Sequence, residues 1–246
     1  GSYQFVINPI HSGVPVASTQ ASSKEILQAV GSLTTILGQD FEWILSGGIA
    51  IPLSLGIPFY RQHRDIDLGV HKKHLKKLTY QVAPAGYNLF SRLAMFKISP
   101  NRKLDFYKQV TPGQVVSHFN VYDTGAGFKN LRLVRTEDKG RVEVHNHLLS
   151  YFDIFVHDFL RDQLVSFEEG MTVPSTLHIG CSYETPNGTI KLRNLQYIAK
   201  LKERGNSLID KFDLQVMEEN KLGVKQHAQK RPLEISRAVT SLGGSD

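Results

Sequence analysis

The spacing of apolar positions along the chain predicts a series of helices and strands. Helical spacing predicts helices over residues 22–37, 49–55 and 72–83, and two more after residue 192. Short apolar or alternating runs predict strands at residues 41–45, 66–70, 89–90, 93–98, 103–107, 142–144 and 151–156. A hairpin is predicted over residues 176–192, because Asn187-Gly188 is a strong turn signal between two such runs.

The order of these elements predicts the fold class and the organisation of the chain. Strands dominate up to about residue 190 and helices follow, which is typical of an α+β protein with a mixed β-sheet flanked by helices. We predict an extended N-terminal arm over residues 1–22, an α/β domain over 23–190, a C-terminal helical segment over 191–238 and a polar tail over 239–246.

Charge and cysteine content narrow the classes of partner and compartment. The 246 residues carry a formal net charge of +6 and a pI of about 9.3, which favours anionic partners such as nucleotides and nucleic acid. The sequence shows no nucleic-acid-binding motif beside that charge. Cys181 is the single cysteine, which fits a reducing compartment, and no apolar run approaches the roughly 18 residues that span a bilayer. The sequence therefore predicts a cytoplasmic protein without a membrane partner.

Asp65 and Asp67 are the first candidates for chemistry. Residues i and i+2 of a strand project from the same face, so the two carboxylates are expected on one side of the strand, about 6–7 Å apart. Carboxylate oxygens in that arrangement suit Mg²⁺, with Mn²⁺ as an alternative. Two like charges on one face repel unless a cation neutralises them, and Arg61 or Arg64 is the chain's own substitute for a metal.

Ser46-Gly47-Gly48 is the second candidate, because it stands between a predicted strand and a predicted helix. Glycines at such a turn let the backbone approach a phosphate, and the helix N-terminus offers free N–H groups and the positive end of its dipole. Ser46 adds a hydroxyl donor. A tight turn without a ligand is the alternative for a glycine pair alone. Here the carboxylate strand follows, and a triphosphate needs both a donor-rich turn and a divalent cation.

Together these motifs resemble the signature of a known superfamily. Gly47-Gly48 followed by His63-Arg64-Asp65-Ile66-Asp67-Leu68 is similar to the pattern of the DNA polymerase β-type nucleotidyltransferases. The closer resemblance is to the lincosamide and aminoglycoside nucleotidyltransferases, in which a helix follows the glycine pair and arginines precede the aspartates. Here that stretch is Gly48–Gly56, followed by Arg61 and Arg64. The resemblance implies a nucleotidyltransferase fold with a C-terminal helical segment.

The resemblance also implies a third carboxylate on a later strand. Asp65 and Asp67 would hold Mg²⁺ against a triphosphate, and the third acid would complete a second metal position or take a proton from the acceptor. Asp153, in the apolar run 151–156, is the preferred third acid. Asp105 is the rival, and it would leave Asp153 in a salt bridge with an arginine of the segment 132–141. Nucleotide-binding roles are implied for Ser46, Gly47, Gly48, Arg64, Lys200 and Lys211.

The activity that the resemblance implies is the transfer of a nucleoside monophosphate from an NTP, with ATP as the expected nucleotide, to a hydroxyl acceptor. Pyrophosphate is released. The acceptor is left open among a small molecule, a protein side chain and an RNA end, since the fold does not decide it. The alternative is a non-catalytic module that binds a nucleotide or a partner on a degenerate nucleotidyltransferase fold. The retained serine, glycines and aspartates favour the enzyme.

Overall fold

The computed structural model describes residues 3–9, 20–63, 65–100, 102–118, 129–135, 142–144 and 148–228. Within these ranges the chain forms six α-helices and twelve strands. In chain order they are β1 (Tyr3–Pro9), α1 (Gln20–Leu37), β2 (Trp43–Ser46), α2 (Gly47–Leu55), β3 (Ile66–His71), α3 (Leu75–Val82), β4 (Tyr87–Ser99), β5 (Arg102–Gln109), α4 (Pro112–His118), β6 (Lys129–Arg135), β7 (Val142–Val144), β8 (Tyr151–Leu160), β9 (Gln163–Ser166), β10 (Met171–Pro174), β11 (Ile179–Thr185), β12 (Gly188–Arg193), α5 (Leu195–Gly205) and α6 (Leu208–Ala228).

All of these strands belong to one mixed sheet. The strand order is β11-β12-β2-β3-β8-β6-β4-β5-β1-β7, with β9 paired to β8 and β10 paired to β9. The pairs β12–β2, β3–β8 and β1–β7 are parallel, and the other pairs are antiparallel. The predicted α+β class, with a large mixed sheet and flanking helices, is confirmed.

One face of the sheet carries the main apolar core. Ile66, Leu68 and Val70 of β3 are buried and alternate with Asp67, so the apolar side chains and the carboxylate lie on opposite faces. Burying one such side chain stabilises the fold by about 1.5–3 kcal/mol, which determines the face that β3 turns inward. The residues of α1 and α3 that cover this face are Ile26, Val30, Leu33, Leu37, Leu75, Leu78 and Val82.

The C-terminal helices pack against α2 and the β9–β10 hairpin. Ile198 of α5 and Met217 of α6 form an apolar cluster with Ala50 and Ile51 of α2. Tyr197 of α5 packs on buried side chains of β9 and β10. No helix in the described ranges combines the length and the apolar character needed to cross a lipid bilayer. The contacts with α2 place α5 and α6 close to the glycine turn at which α2 begins.

Some segments differ from the predicted elements. Within the predicted arm, residues 3–9 form β1, which pairs antiparallel with β5. The predicted helix 72–83 begins as a 3-10 turn over Lys72–His74 before α3. Residues 10–19 and the predicted tail, 239–246, lie outside the described residues, and the division of the chain into domains stays a prediction. α4, β6, β9 and β10 were not predicted.

Candidate metal centre

Three carboxylates, those of Asp65, Asp67 and Asp153, meet at the start of β3 and β8. One oxygen of each lies within 4.8 Å of the others. Asp67 and Asp153 are direct neighbours in the parallel ladder of β3 and β8, and Asp65 immediately precedes β3. In the described part of the chain, no other group of His, Cys, Asp and Glu side chains is compact enough to hold an ion. The structure therefore brings together the predicted pair and the preferred third acid.

Asp105 is not a member of this group. It is fully buried on β5, and its carboxylate oxygens lie 3.7 Å from Arg92 Nη1 and 3.6 Å from Lys103 Nζ. Two cations thus face the residue that was the rival third acid. The geometry favours Asp153 over Asp105.

Arg132 forms the salt bridge that the rival interpretation expected. It is directly opposite Asp153 in the β6–β8 ladder, and its Nε donates a hydrogen bond to Asp153 Oδ1. The guanidinium lies over the rings of Tyr151 and Tyr107, at 4.0 Å and 5.2 Å from their centroids. Asp153 therefore combines the two arrangements that were predicted as alternatives. It lies beside Asp65 and Asp67, and it keeps an arginine partner.

The negative charge of the centre is only partly compensated within the chain. Burial, followed by the charges of Asp65 and Asp153, holds the pKa of the Asp67 carboxyl well above its ordinary value. Burial also raises the pKa of Asp153, although the charge of Arg132 and its hydrogen bond oppose the shift. A bound cation would reverse this effect by favouring the ionised carboxylates. The donor set consists of oxygen alone, which suits a hard ion such as Mg²⁺ or Mn²⁺, so the residues present fit the predicted metal.

The turn Ser46-Gly47-Gly48 lies directly beside these carboxylates. Ser46 is opposite Asp67 in the β2–β3 ladder, and its side chain does not cap α2. Gly47 has φ +68°, and a Cβ at this position would lie 1.9 Å from Asp67 Oδ2. A Cβ on Gly48 would lie 2.0 Å from Arg61 Nη2. A Cβ at either glycine would therefore meet a charged side chain, and the positive φ adds strain at Gly47. The N-terminus of α2 thus lies next to the candidate metal centre.

Replacing Gly47 with Ala is expected to destabilise the protein and to displace the Asp67 carboxylate. A left-handed backbone costs a residue with a Cβ about 1–2 kcal/mol, and the contact with Asp67 adds to that cost. Gly31→Ala is the control, because nothing lies within 4 Å of its Cβ position in the middle of α1. Thermal unfolding checks both variants. A Gly47→Ala protein that melts at or above the temperature of the wild type would contradict the close approach.

A buried ion network connects the glycine turn with the C-terminal helices. Asp213 of α6 is fully buried and accepts hydrogen bonds from Arg61 Nε and Nη2, at 2.8 Å and 2.9 Å. Tyr60 Oη donates to the same carboxylate at 2.9 Å, and Lys202 Nζ of α5 lies 2.8 Å from it. The charge of Lys202 also acts on Asp67, where it opposes the rise in pKa. Lys202 therefore belongs to this network and also lies within electrostatic reach of the candidate metal centre.

Two of the three cationic residues that were predicted to bind the nucleotide lie in the described part of the structure. Lys200 and Lys211 are exposed on α5 and α6. Arg64 lies outside the described residues. Lys202, which the sequence analysis missed, is the lysine within electrostatic reach of Asp67. It continues the apolar stripe of Leu195, Ile198 and Ala199, and a lysine on such a stripe is the sequence signal that can reveal it.

Fold and site together define an α+β protein with a large mixed sheet and a candidate divalent-metal centre beside a glycine turn. No protein-family model matches the chain, and neither does any curated protein. Among solved structures, the chain is similar to the crystal structure of the lincosamide antibiotic adenylyltransferase LnuA with lincomycin bound. The identity is 14%, the similarity covers 82% of this chain and 98% of that chain, and the TM-score is 0.45. This likeness assigns neither a family nor an activity to the chain.

Proposed function

We propose that the protein is a metal-dependent nucleotidyltransferase, which transfers a nucleoside monophosphate from an NTP to a hydroxyl group. One observation carries the proposal: Asp65, Asp67 and Asp153 converge within 4.8 Å, beside the turn Ser46-Gly47-Gly48. A triphosphate needs both parts, because its oxygens require donors and its charge requires a divalent cation. The signature that the sequence resembles rests on the same residues. ATP is the proposed nucleotide and Mg²⁺ the proposed ion, with Mn²⁺ as an alternative.

In this proposal the chain supplies three kinds of group. The N–H groups of Gly47 and Gly48 and the hydroxyl of Ser46 bind phosphate oxygens at the start of α2. Mg²⁺, when held by the three carboxylates, neutralises the triphosphate and stabilises charge on the attacking and leaving oxygens. Lys202, which Asp213 holds in place, neutralises the departing pyrophosphate. Arg64, Lys200 and Lys211 stay candidates for contacts with the nucleotide.

The proposed reaction forms a bond between the acceptor oxygen and the α-phosphorus. The bond from the α-phosphorus to the bridging oxygen of the β-phosphate breaks, and pyrophosphate leaves. The proton of the acceptor hydroxyl passes to a carboxylate. Asp153 suits this task, because the hydrogen bond from Arg132 fixes the orientation of its carboxylate.

A non-catalytic binding module is the second candidate, and the ion pair between Arg132 and Asp153 favours it. The guanidinium bonded to Asp153 already supplies one positive charge to the three carboxylates. A centre whose charge is partly compensated in this way can bind a nucleotide without turning it over. The two candidates differ in one measurable product, a labelled acceptor.

Incubation with each α-labelled NTP, Mg²⁺ or Mn²⁺ and a cell extract is expected to label one component of the extract. Asp153→Asn is expected to reduce the labelling by at least about a hundredfold, since it removes one of the three carboxylates. Asp158→Asn is the matched control, because Asp158 lies on the same strand but pairs with His71 and Lys72. Its labelling should equal that of the wild type.

The outcome separates the two candidates. Nucleotide binding without any labelled component would favour the binding module. Equal labelling by the wild type and Asp153→Asn would exclude the metal centre from the reaction.

A further inference from the structure

Lys97 of β4 and Lys103 of β5 are directly opposite each other in an antiparallel ladder. Like charges at such a position repel and destabilise the strand pair. Lys97 is exposed, whereas the side chain of Lys103 is only 26% exposed, so the repulsion is not fully screened by water. A local arrangement that costs free energy is typical of a functional site, where proteins give up some stability for function.

Asp105 compensates this positive charge only in part. Its carboxylate lies 3.6 Å from Lys103 Nζ and 3.7 Å from Arg92 Nη1, so two cations share one carboxylate. Both distances are longer than an ordinary N–H···O hydrogen bond. Lys103 Nζ makes no hydrogen bond to any residue that the structure describes. The lysine pair therefore retains donors and net charge for an anion.

The lysine pair lies on the face of the sheet that carries the three carboxylates. Across the ladders, Asp153 is opposite Arg132, Arg132 is opposite Phe90, and Phe90 is opposite Gln109. From Gln109, every second residue of β5 keeps this face, and Lys103 is one of them. Lys103 also lies within electrostatic reach of Asp153. A molecule that contacts the metal centre can therefore reach the lysines along the same face.

The glycine turn and the lysine pair lie on opposite sides of the metal centre. β2, which leads into the glycine turn, is the neighbour of β3 on one side, and β8, β6, β4 and β5 follow on the other. In phosphoryl transfer the attacking oxygen and the leaving group are in line, on opposite sides of the phosphorus. A triphosphate bound at the glycine turn thus leaves the β4–β5 side for the acceptor.

We propose, as an extension of the proposed nucleotidyl transfer, that Lys97 and Lys103 bind a phosphate group of the acceptor. The acceptor is then a hydroxyl compound that carries a phosphate. A phosphate monoester has a charge of about −1.5 to −2 at neutral pH, which the two ammonium groups match, and they also attract the single negative charge of each phosphodiester in a nucleic acid. An acceptor with several amino groups is repelled by the same lysines. The phosphate belongs either to a small phosphorylated compound or to a nucleic-acid chain with a free 3′ hydroxyl.

Calorimetry with three probes tests this site: glycerol 3-phosphate, glycerol, and a single-stranded RNA oligonucleotide with a free 3′ hydroxyl. Mg²⁺ and a non-hydrolysable ATP analogue are present, so that the nucleotide's own phosphate positions are filled. We expect one of the two phosphate-bearing probes to bind and glycerol not to bind. Lys97→Gln and Lys103→Gln should each weaken that binding by about tenfold or more, as expected for a lost hydrogen bond to a charged group.

Lys108→Gln is the matched control, because Lys108 is exposed on β5 and projects from the opposite face. Its binding of the probe should equal that of the wild type, and the melting temperatures of all three variants verify that they fold. Tighter binding of the small probe identifies a phosphorylated metabolite as the source, and tighter binding of the oligonucleotide identifies a nucleic acid. The proposal is overturned if neither phosphate-bearing probe binds, or if all three variants weaken binding equally. If the ATP analogue does not bind, the proposed nucleotidyl transfer is refuted instead. Titrations of the probes without the analogue still test the lysine pair.

Discussion

Asp67→Asn is expected to abolish metal-dependent turnover and, in the absence of Mg²⁺, to raise the melting temperature. In the proposed reaction Asp67 would hold the ion, so its removal should slow turnover by at least about a thousandfold. The gain in stability is electrostatic, because burial and the charges of Asp65 and Asp153 raise the pKa of Asp67. In the unfolded chain an aspartate ionises at a pKa of about 3.9. Between that value and the folded pKa the native state binds more protons, so its stability falls as the pH rises.

Thermal unfolding at pH 7 and below pH 4, with and without Mg²⁺ and ATP, measures this effect. The advantage of the variant should shrink below pH 4, where Asp67 is protonated in both states. Mg²⁺ should raise the melting temperature of the wild type and leave that of the variant unchanged.

Asp158→Asn is the control for the direction of the change in stability. Burial opposes the shift, but the hydrogen bond from Lys72 lowers the pKa of Asp158, so its loss should destabilise the protein at pH 7. If the wild type and Asp67→Asn respond identically to Mg²⁺ and to ATP, the assignment of the metal centre is wrong.

Asp213→Asn is expected to reduce the free energy of unfolding by about 3–5 kcal/mol, as is typical when one member of a buried ion network is removed. The substitution leaves Arg61 and Lys202 without the carboxylate that both contact. Burial opposes the shift, but the hydrogen bond and the charge of Arg61 lower the pKa of Asp213. Its stabilising effect is therefore present above the unfolded pKa of about 3.9 and is lost as the pH falls through the folded pKa.

Denaturant unfolding at pH 7 and at pH 3 measures the contribution of Asp213. The difference between wild type and variant should be largest at pH 7 and smaller at pH 3. Asp210→Asn is the matched control, because Asp210 is half-buried and pairs with Lys202 at 3.0 Å. About 1 kcal/mol or less is expected for that pair. Equal losses for the two variants would mean that Asp213 is not the centre of the network.

The centre of the candidate site could be predicted from the sequence because its signal is local. Asp65 and Asp67 are two residues apart on one strand, and Gly47-Gly48 joins a strand to a helix, so both arrangements follow from short-range backbone geometry. The choice between Asp153 and Asp105 was harder, because each is flanked by apolar residues. The order of the strands in the sheet decides between the two residues, since β8 rather than β5 is the neighbour of β3.

Contacts between distant elements could not be predicted in the same way. Lys202 meets Asp213 only because α5 and α6 pack together beside α2, and no spacing along the chain encodes that packing. β9 and β10 have four residues each, which is too short for a period to emerge. β1 lies in a stretch with no sustained pattern, and its pairing with β5 supplies the hydrogen bonds that define it as a strand.

The parallel pairing of β3 with β8 has a consequence for how the protein folds. Between these strands the chain forms α3, β4, β5, α4, β6 and β7, so the β3–β8 ladder closes a long loop. The entropy cost of closing such a loop delays non-local pairing during folding. Asp67 and Asp153 are therefore expected to come together late in folding, and a chain that has folded only locally has no ion-binding centre. An ion bound there stabilises the folded state alone, so it slows unfolding and leaves the rate of folding unchanged.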